Sequence, residues 1–139
     1  MGGATLESSN GQDAESADSK EDLQPFPQER QTFIKEKLDK WCEERGYKDT
    51  TVNMITLSHS LDISKNELSR YFASCQNSTF RIWLADVRFE AAKRMMLKYP
   101  DYSNDIISAE CGFSSRSQLY RVFNAKAGCS PNVWRKGKR

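Results

Sequence analysis

LSRYFASCQNSTFRIW, Leu68 to Trp83, returns fifty-one residues later as LYRVFNAKAGCSPNVW, Leu119 to Trp134. Aligned, the copies pair Leu68 with Leu119, Arg70 with Arg121, Phe72 with Phe123, Asn77 with Gly128, Thr79 with Ser130 and Trp83 with Trp134. Just ahead of each lies a serine followed three residues later by Glu or Gln, Ser64 to Glu67 and Ser115 to Gln118. That spacing is a capping box: the serine oxygen accepts from the third backbone N–H while the longer side chain reaches back. Each copy therefore opens as a helix, and each closes at a residue that tolerates left-handed backbone, Asn77 or Gly128.

Working outward, Ile34, Leu38, Trp41 and Cys42 recur at helical steps and predict a helix over 28–45, with Gly46 placed to end it. Asn53 is a good N-cap for a second helix to about Ser60, burying Met54 and Leu57. A short LDI turn leads to the third, from Ser64 to about Asn77. Phe80 to Tyr99 forms a longer helix with Phe80, Leu84, Val87, Ala91 and Met95 on one side, stopped by Pro100. Then the pattern repeats: Asn104 to Cys111, a turn at Gly112, Ser115 to Ala127, a cap at Gly128, and a last turn from Ser130 with Pro131 in its first position. The fold class is all-α, with about seven helices. Two helix-turn-helix units are joined by one long linker helix.

Such a unit can lay its second helix in a DNA major groove, although a generic helical hairpin repeat has the same spacing. At about 100° per residue, Leu68 and Phe72 point inward together while Asn66 and Arg70 fall opposite, with Ser69 and Ala73 beside them. Ser117, Tyr120, Arg121 and Asn124 occupy the same places in the second copy. An outward arginine held in both copies suits bidentate recognition of guanine or a phosphate clamp. The linker helix spans roughly 30 Å, close to the roughly 34 Å between successive major-groove faces. One rod could thus hold two probes on one side of a duplex.

The 139 residues are about one domain's worth. The formal net charge of +2 conceals a split. Residues 1–29 carry seven acids against one lysine, and residues 30–139 carry twelve against twenty Lys and Arg. The basic body fits a polyanionic partner. Residues 1–24 hold almost no large apolar side chain and are expected to stay disordered, so 1–27 reads as an acidic linker or expression tail and 28–139 as the domain. Cys42, Cys75, Cys111 and Cys129 form no CxxC pair, and His59 is the single histidine, which excludes a zinc-ligand pattern. No apolar run approaches a membrane span and no signal-peptide core is present, so the expectation is a soluble, cytoplasmic chain without membrane contact. No catalytic motif or glycine-rich phosphate loop appears; neither an enzyme nor a cofactor or metal is expected.

At this point the residues resemble the AraC/XylS-type bacterial transcription regulators. GFSSRSQLYRVFNAKAGCSPNVWRK, Gly112 to Lys136, is similar to that family's GF-x-x-x-S-x-F-x-R-x-F signature, continuing through G-x-(S/T)-P to (Y/W)-R. ISKNELSRYF and RIWLADVRFEAAKRMML resemble the first recognition helix and the linker helix, and coverage is about residues 28–139. The resemblance implies two recognition helices entering adjacent major-groove segments of promoter DNA. Carried over by position, the base-reading residues are Lys65, Asn66, Ser69 and Arg70, then Arg116, Ser117, Gln118, Tyr120 and Arg121.

Departures from the family pattern are Asp62 and Asn77 at positions often held by glycine, Ser58 and Ser108 in small slots, and Asn104 in place of an apolar residue, where it is expected to cap a helix. Gln118 is claimed both by capping and by DNA, and the balance leans to DNA. Trp41, Trp83 and Trp134 are expected as core anchors, His59 as a surface residue, and Lys93, Arg94 and Lys98 as solvated charges. Arg135, Lys136, Lys138 and Arg139 would add nonspecific attraction to DNA. The function expected is sequence-specific double-stranded DNA binding in transcription regulation, as the output domain of a larger sensor-regulator. A complete small regulator without a sensor, or a helical protein-interaction module, is the alternative. RNA polymerase is a second candidate partner, with dimerisation left to parts outside this chain.

Overall fold

Among the described residues, six of the seven helices begin where a side-chain oxygen satisfies a backbone N–H that has no partner inside the helix. The computed structural model describes residues 26–137. Over these run α1 (Gln28–Glu43), a 3-10 turn (Gly46–Lys48), α2 (Met54–Leu61), α3 (Lys65–Cys75), α4 (Phe80–Lys98), α5 (Asn104–Cys111), α6 (Arg116–Ala127) and α7 (Pro131–Gly137). The caps are Asn53, Ser64, Thr79, Ser103 and Ser115 for α2 to α6, and Ser130, whose Oγ accepts from the Val133 amide at 3.2 Å, for α7. Removing such a cap costs about 1 kcal/mol. α1 follows Pro27 without a side-chain cap.

The two units are built alike. Leu68, Leu119 and Phe123 are fully buried and Phe72 nearly so. Trp83 packs on Phe72 with ring centroids 5.2 Å apart, and Trp134 on Phe123 at 5.8 Å. The turn in each unit is left-handed, at Asp62 (φ 57°) and Gly112 (φ 89°), and so is the residue just past each recognition helix, Asn77 (φ 49°) and Gly128 (φ 75°). Even the turn hydrogen bonds repeat: the Ile63 amide donates to the Ser58 carbonyl at 3.1 Å, and Phe113 to Ser108 at 3.0 Å.

α4 packs against α3 on one side and against α5 and α6 on the other, so it carries both units. Its buried surface is wider than the stripe expected. Val87 and Met95 are half-buried, while Arg88, Phe89, Ala92 and Met96 join Phe80, Leu84 and Ala91 inside. Arg88 is buried because its donors are satisfied: Nε donates to the Tyr47 carbonyl at 3.0 Å and Nη2 to that of Asp49 at 2.9 Å. Burial lowers its pKa from the ordinary arginine value. These bonds seat the 3-10 turn between the units, where Arg45 and Lys48 both reach the Glu110 carboxylate, at 2.6 and 3.3 Å.

Several expectations need correction. α1 ends at Glu43, and the left-handed residue after it is Arg45 (φ 62°), not Gly46. Gly46 serves a different purpose, since a Cβ there would lie 2.2 Å from the Trp41 indole. Neither serine-started box closes as expected. Ser64 and Ser115 accept from the third amide, but Glu67 turns away to Arg30 and the Gln118 carbonyl oxygen takes the amide of Ser114. The closed box is at Asn53 and Thr56. Asn104 does not cap α5, because Ser103 does; its side chain is a hub for α6 and α7. Phe26, assigned to the linker, is buried in the core at 6% exposure. The expectation of disorder for residues 1–24 lies outside the described residues.

Candidate nucleic-acid interface

The N-terminal turn of each recognition helix is polar and exposed, because the apolar residues of α3 and α6 are spent on the core. In α6, Arg116, Ser117, Tyr120, Arg121 and Asn124 line one shallow concavity. Arg116, Ser117 and Arg121 are exposed and Tyr120 is half-buried. The four residues proposed for this helix at those positions are therefore brought together. In α3, Lys65, Asn66 and Ser69 are exposed while Arg70 is half-buried, its guanidinium carbon 5.1 Å from the centre of the Phe26 ring.

A groove of about 790 Å³ separates the two units. Lys65, Ser69 and Ala73 of α3 line one wall, Gln118 and Val122 of α6 the other, and Arg81 and Arg88 of α4 contribute to its lining. Position 118 corresponds to 67 and 122 to 71 in the repeat register. The two helices thus present opposite sides of the same motif to one groove. Two units related by translation would face one groove in this way, whereas two related by a two-fold axis would present the same side.

Besides Arg70, the residues Gln118, Tyr120 and Arg116 have intramolecular partners that sequence spacing did not reveal. The Gln118 Oε1 accepts from the Ser114 amide at 2.7 Å and from its hydroxyl at 3.1 Å, so its carbonyl frames the helix start. The Tyr120 hydroxyl accepts from Asn104 Nδ2 at 3.1 Å and Asn132 Nδ2 at 3.2 Å. Arg116 stands 3.8 Å from Asp105, both well exposed. Arg135, expected to add nonspecific attraction to DNA, donates to the Asn104 side chain and to the carbonyls of Pro100 and Tyr102 at 2.7 to 3.0 Å. It fastens α7 to the start of α5. Lys138 and Arg139 lie outside the described residues.

Elsewhere, Trp41 is buried and Trp83 and Trp134 are half-buried against the core. His59 is exposed. On α4, Lys93 pairs with Glu90 at 3.1 Å and lies over the Phe89 ring, and Lys98 lies over Tyr99. Lys126 pairs with Asp86 of α4 and ties the second recognition helix to the rod. Burial pushes the Cys42 and Cys111 thiols up to about 11, so both stay protonated near neutrality. Among the described residues no His, Cys, Asp and Glu cluster could hold a metal, and no helix is long and apolar enough to cross a membrane.

A family profile described as a helix-turn-helix domain matches residues 57–137. Over 93 residues, 67% of this chain, the sequence is 29% identical to the transcriptional activator NphR of a Rhodococcus species. The chain spans about a quarter of that relative, the match covering 27% of it. The fold is similar to the DNA-binding domain of AdpA, a global transcriptional factor solved in complex with a target DNA. The TM-score is 0.66 and the identity 28%, over 76% of this chain and 92% of that one. It is also similar to the C-terminal domain of the two-component response regulator yesN from Fusobacterium nucleatum. There the TM-score is 0.64 and the identity 27%, over 73% and 97%. The profile, the relatives and the doubled helix-turn-helix geometry agree: the chain belongs to the AraC/XylS-type family of helix-turn-helix transcription regulators.

Proposed function

We propose that this domain binds promoter DNA sequence-specifically, with α3 and α6 in successive major-groove segments of one duplex. The observation that carries the proposal is that two polar recognition helices turn opposite sides of one motif to a shared groove, on a 19-residue rod. Nineteen residues span about 28 Å of helix axis, near the groove repeat. Lys65, Asn66, Ser69 and Arg70 read the first segment, and Arg116, Ser117, Tyr120 and Arg121 the second. Gln118 holds the start of α6 through its carbonyl and borders the DNA from there. Arg81, exposed at the groove, is added as a phosphate contact.

This is binding without catalysis, in the cytoplasm where a bacterial promoter lies. The yesN neighbour is the C-terminal domain of a response regulator, which supports reading residues 28–139 as the output domain of a sensor-regulator, with 1–27 as its linker up to the buried Phe26. Contacts with RNA polymerase and dimerisation belong to the intact regulator.

The test is titration with duplex DNA over a range of salt. Counterion release predicts that log K falls against log salt with a slope of about −0.9 per neutralised phosphate. Absent DNA binding, or binding that salt leaves unchanged, would overturn the proposal and favour a protein-interaction module.

A further inference from the structure

The side of α3 carrying residues 67, 70 and 71 is covered by the chain just before and at the start of α1. Arg30 forks onto Glu67, with Nε donating to Oε2 and Nη2 to Oε1, both at 2.7 Å. The Phe26 ring stands edge-on to Tyr71, centroids 6.2 Å apart, and the Arg70 guanidinium lies over its face. Phe26 is itself fixed, since its carbonyl accepts from Gln31 Nε2 at 2.9 Å and its side chain is 6% exposed. In the second unit the corresponding positions are Gln118, Arg121 and Val122, and Arg121 is exposed. The first reading arginine therefore rests on an aromatic platform from outside its own motif.

We infer that Phe26 is a positioning residue for recognition by the first unit, its ring holding the Arg70 guanidinium in place for base contact. The physical reason is entropic and electrostatic. A free arginine side chain loses several rotors when it docks on a base, whereas one already lying on an aromatic face has lost part of that freedom before DNA arrives. Stacking on the ring also restricts the plane of the guanidinium, and a bidentate contact to guanine depends on that plane. Specificity of the first unit then depends on a residue preceding α1, where the chain from any upstream segment arrives. The inference rests on the proposed reading role of Arg70.

The experiment uses the full chain and a duplex selected from a random pool, with single base-pair substitutions under each unit. Phe26→Leu keeps apolar packing and removes the ring; Phe26→Tyr keeps the ring. The expected result is that Phe26→Leu reduces base discrimination under the first unit by about three- to tenfold, the range of a cation–π contact. Discrimination under the second unit is unchanged, and Phe26→Tyr behaves as the parent. Thermal unfolding of Phe26→Leu close to the parent's accompanies that result. Equal discrimination in Phe26→Leu and the parent, equal losses in Leu and Tyr variants, or tighter first-unit recognition in Phe26→Leu each overturn the inference. Arg70→Ala separates the two layers. If it erases first-unit preference while Phe26→Leu does not, only the inference fails; if it changes nothing, the assigned role of Arg70 fails as well.

Discussion

The first and second helix-turn-helix units share a mounting and differ in their surroundings. Buried Leu and Phe, a half-buried Trp, a Ser or Thr cap and a left-handed stop recur at matched positions in both. Around them the units diverge. α3 is gripped from outside by Arg30 and Phe26, whereas α6 is braced by an Asn104–Tyr120–Asn132 cluster and by Lys126 to α4. The repeat preserves what orients a recognition helix, and the rest of the chain decides how rigidly each reading side chain is held.

The sharpest way to break the equivalence of the mountings is truncation at their centres. Phe72→Ala and Phe123→Ala should each cost about 3–5 kcal/mol by chemical denaturation. A small loss at one position only would show that the cores are not equivalent.

Next in size is the turn glycine. A Cβ at Gly112 would meet the Tyr47 carbonyl oxygen at 1.9 Å and Arg88 Nε at 2.8 Å, while one at Gly128 meets nothing. Both positions are left-handed. Gly112→Ala should therefore lower stability by about 2–5 kcal/mol, and Gly128→Ala by only about 1–2 kcal/mol. Equal melting temperatures for the two variants would contradict the tight seat of the 3-10 turn against Gly112.

Recognition comes third. Arg70→Ala and Arg121→Ala should each weaken binding to a preferred site by about 1–3 kcal/mol if the contact is bidentate to guanine, each at its own segment. Electrophoretic or fluorescence titration reads both, and a loss spread evenly over all sequences would reassign that arginine to the phosphates.

The smallest effect separates the units by acid. Hydrogen bonding from Arg30 holds the Glu67 carboxyl below its ordinary 4.5. A depressed carboxylate stabilises the fold above that ordinary value, and the contribution is lost as pH falls through the lower folded value. Its counterpart in the second unit is Gln118, which does not titrate. Amide exchange in α3 should rise before that in α6 as pH drops below about 4.5, and Glu67→Gln should remove the difference. Glu110, lowered by Arg45 and Lys48, loosens the junction in the same range.

Much of this architecture was legible in the sequence because its determinants are local. Caps, left-handed stops, the proline at the start of α7 and the period of the buried residues lie within a few positions of what they control. Several of the misses are long-range. Glu67 had a capping geometry available but found an arginine 37 residues away. Gly46 reads as a helix stop, yet it is glycine because Trp41 folds over it, while Arg45 takes the left-handed turn and reaches Glu110. Asn104 bonds to residues 16, 28 and 31 positions on. Buried Arg88 is held by carbonyls 41 and 39 positions away, which no local pattern encodes. For the interface, the polar face of α6 followed from helical period alone, but the platform beneath Arg70 did not, because one phenylalanine between two prolines has no periodicity to betray it.

In-vitro selection of duplexes from a random pool will show whether two probes are mounted head to tail on one rod. Two short blocks of preferred bases are expected in the same strand orientation, their centres about one helical turn apart. Arg70→Ala should blur one block and Arg121→Ala the other. A single block, or two in inverted orientation from a monomeric domain, would contradict that mounting.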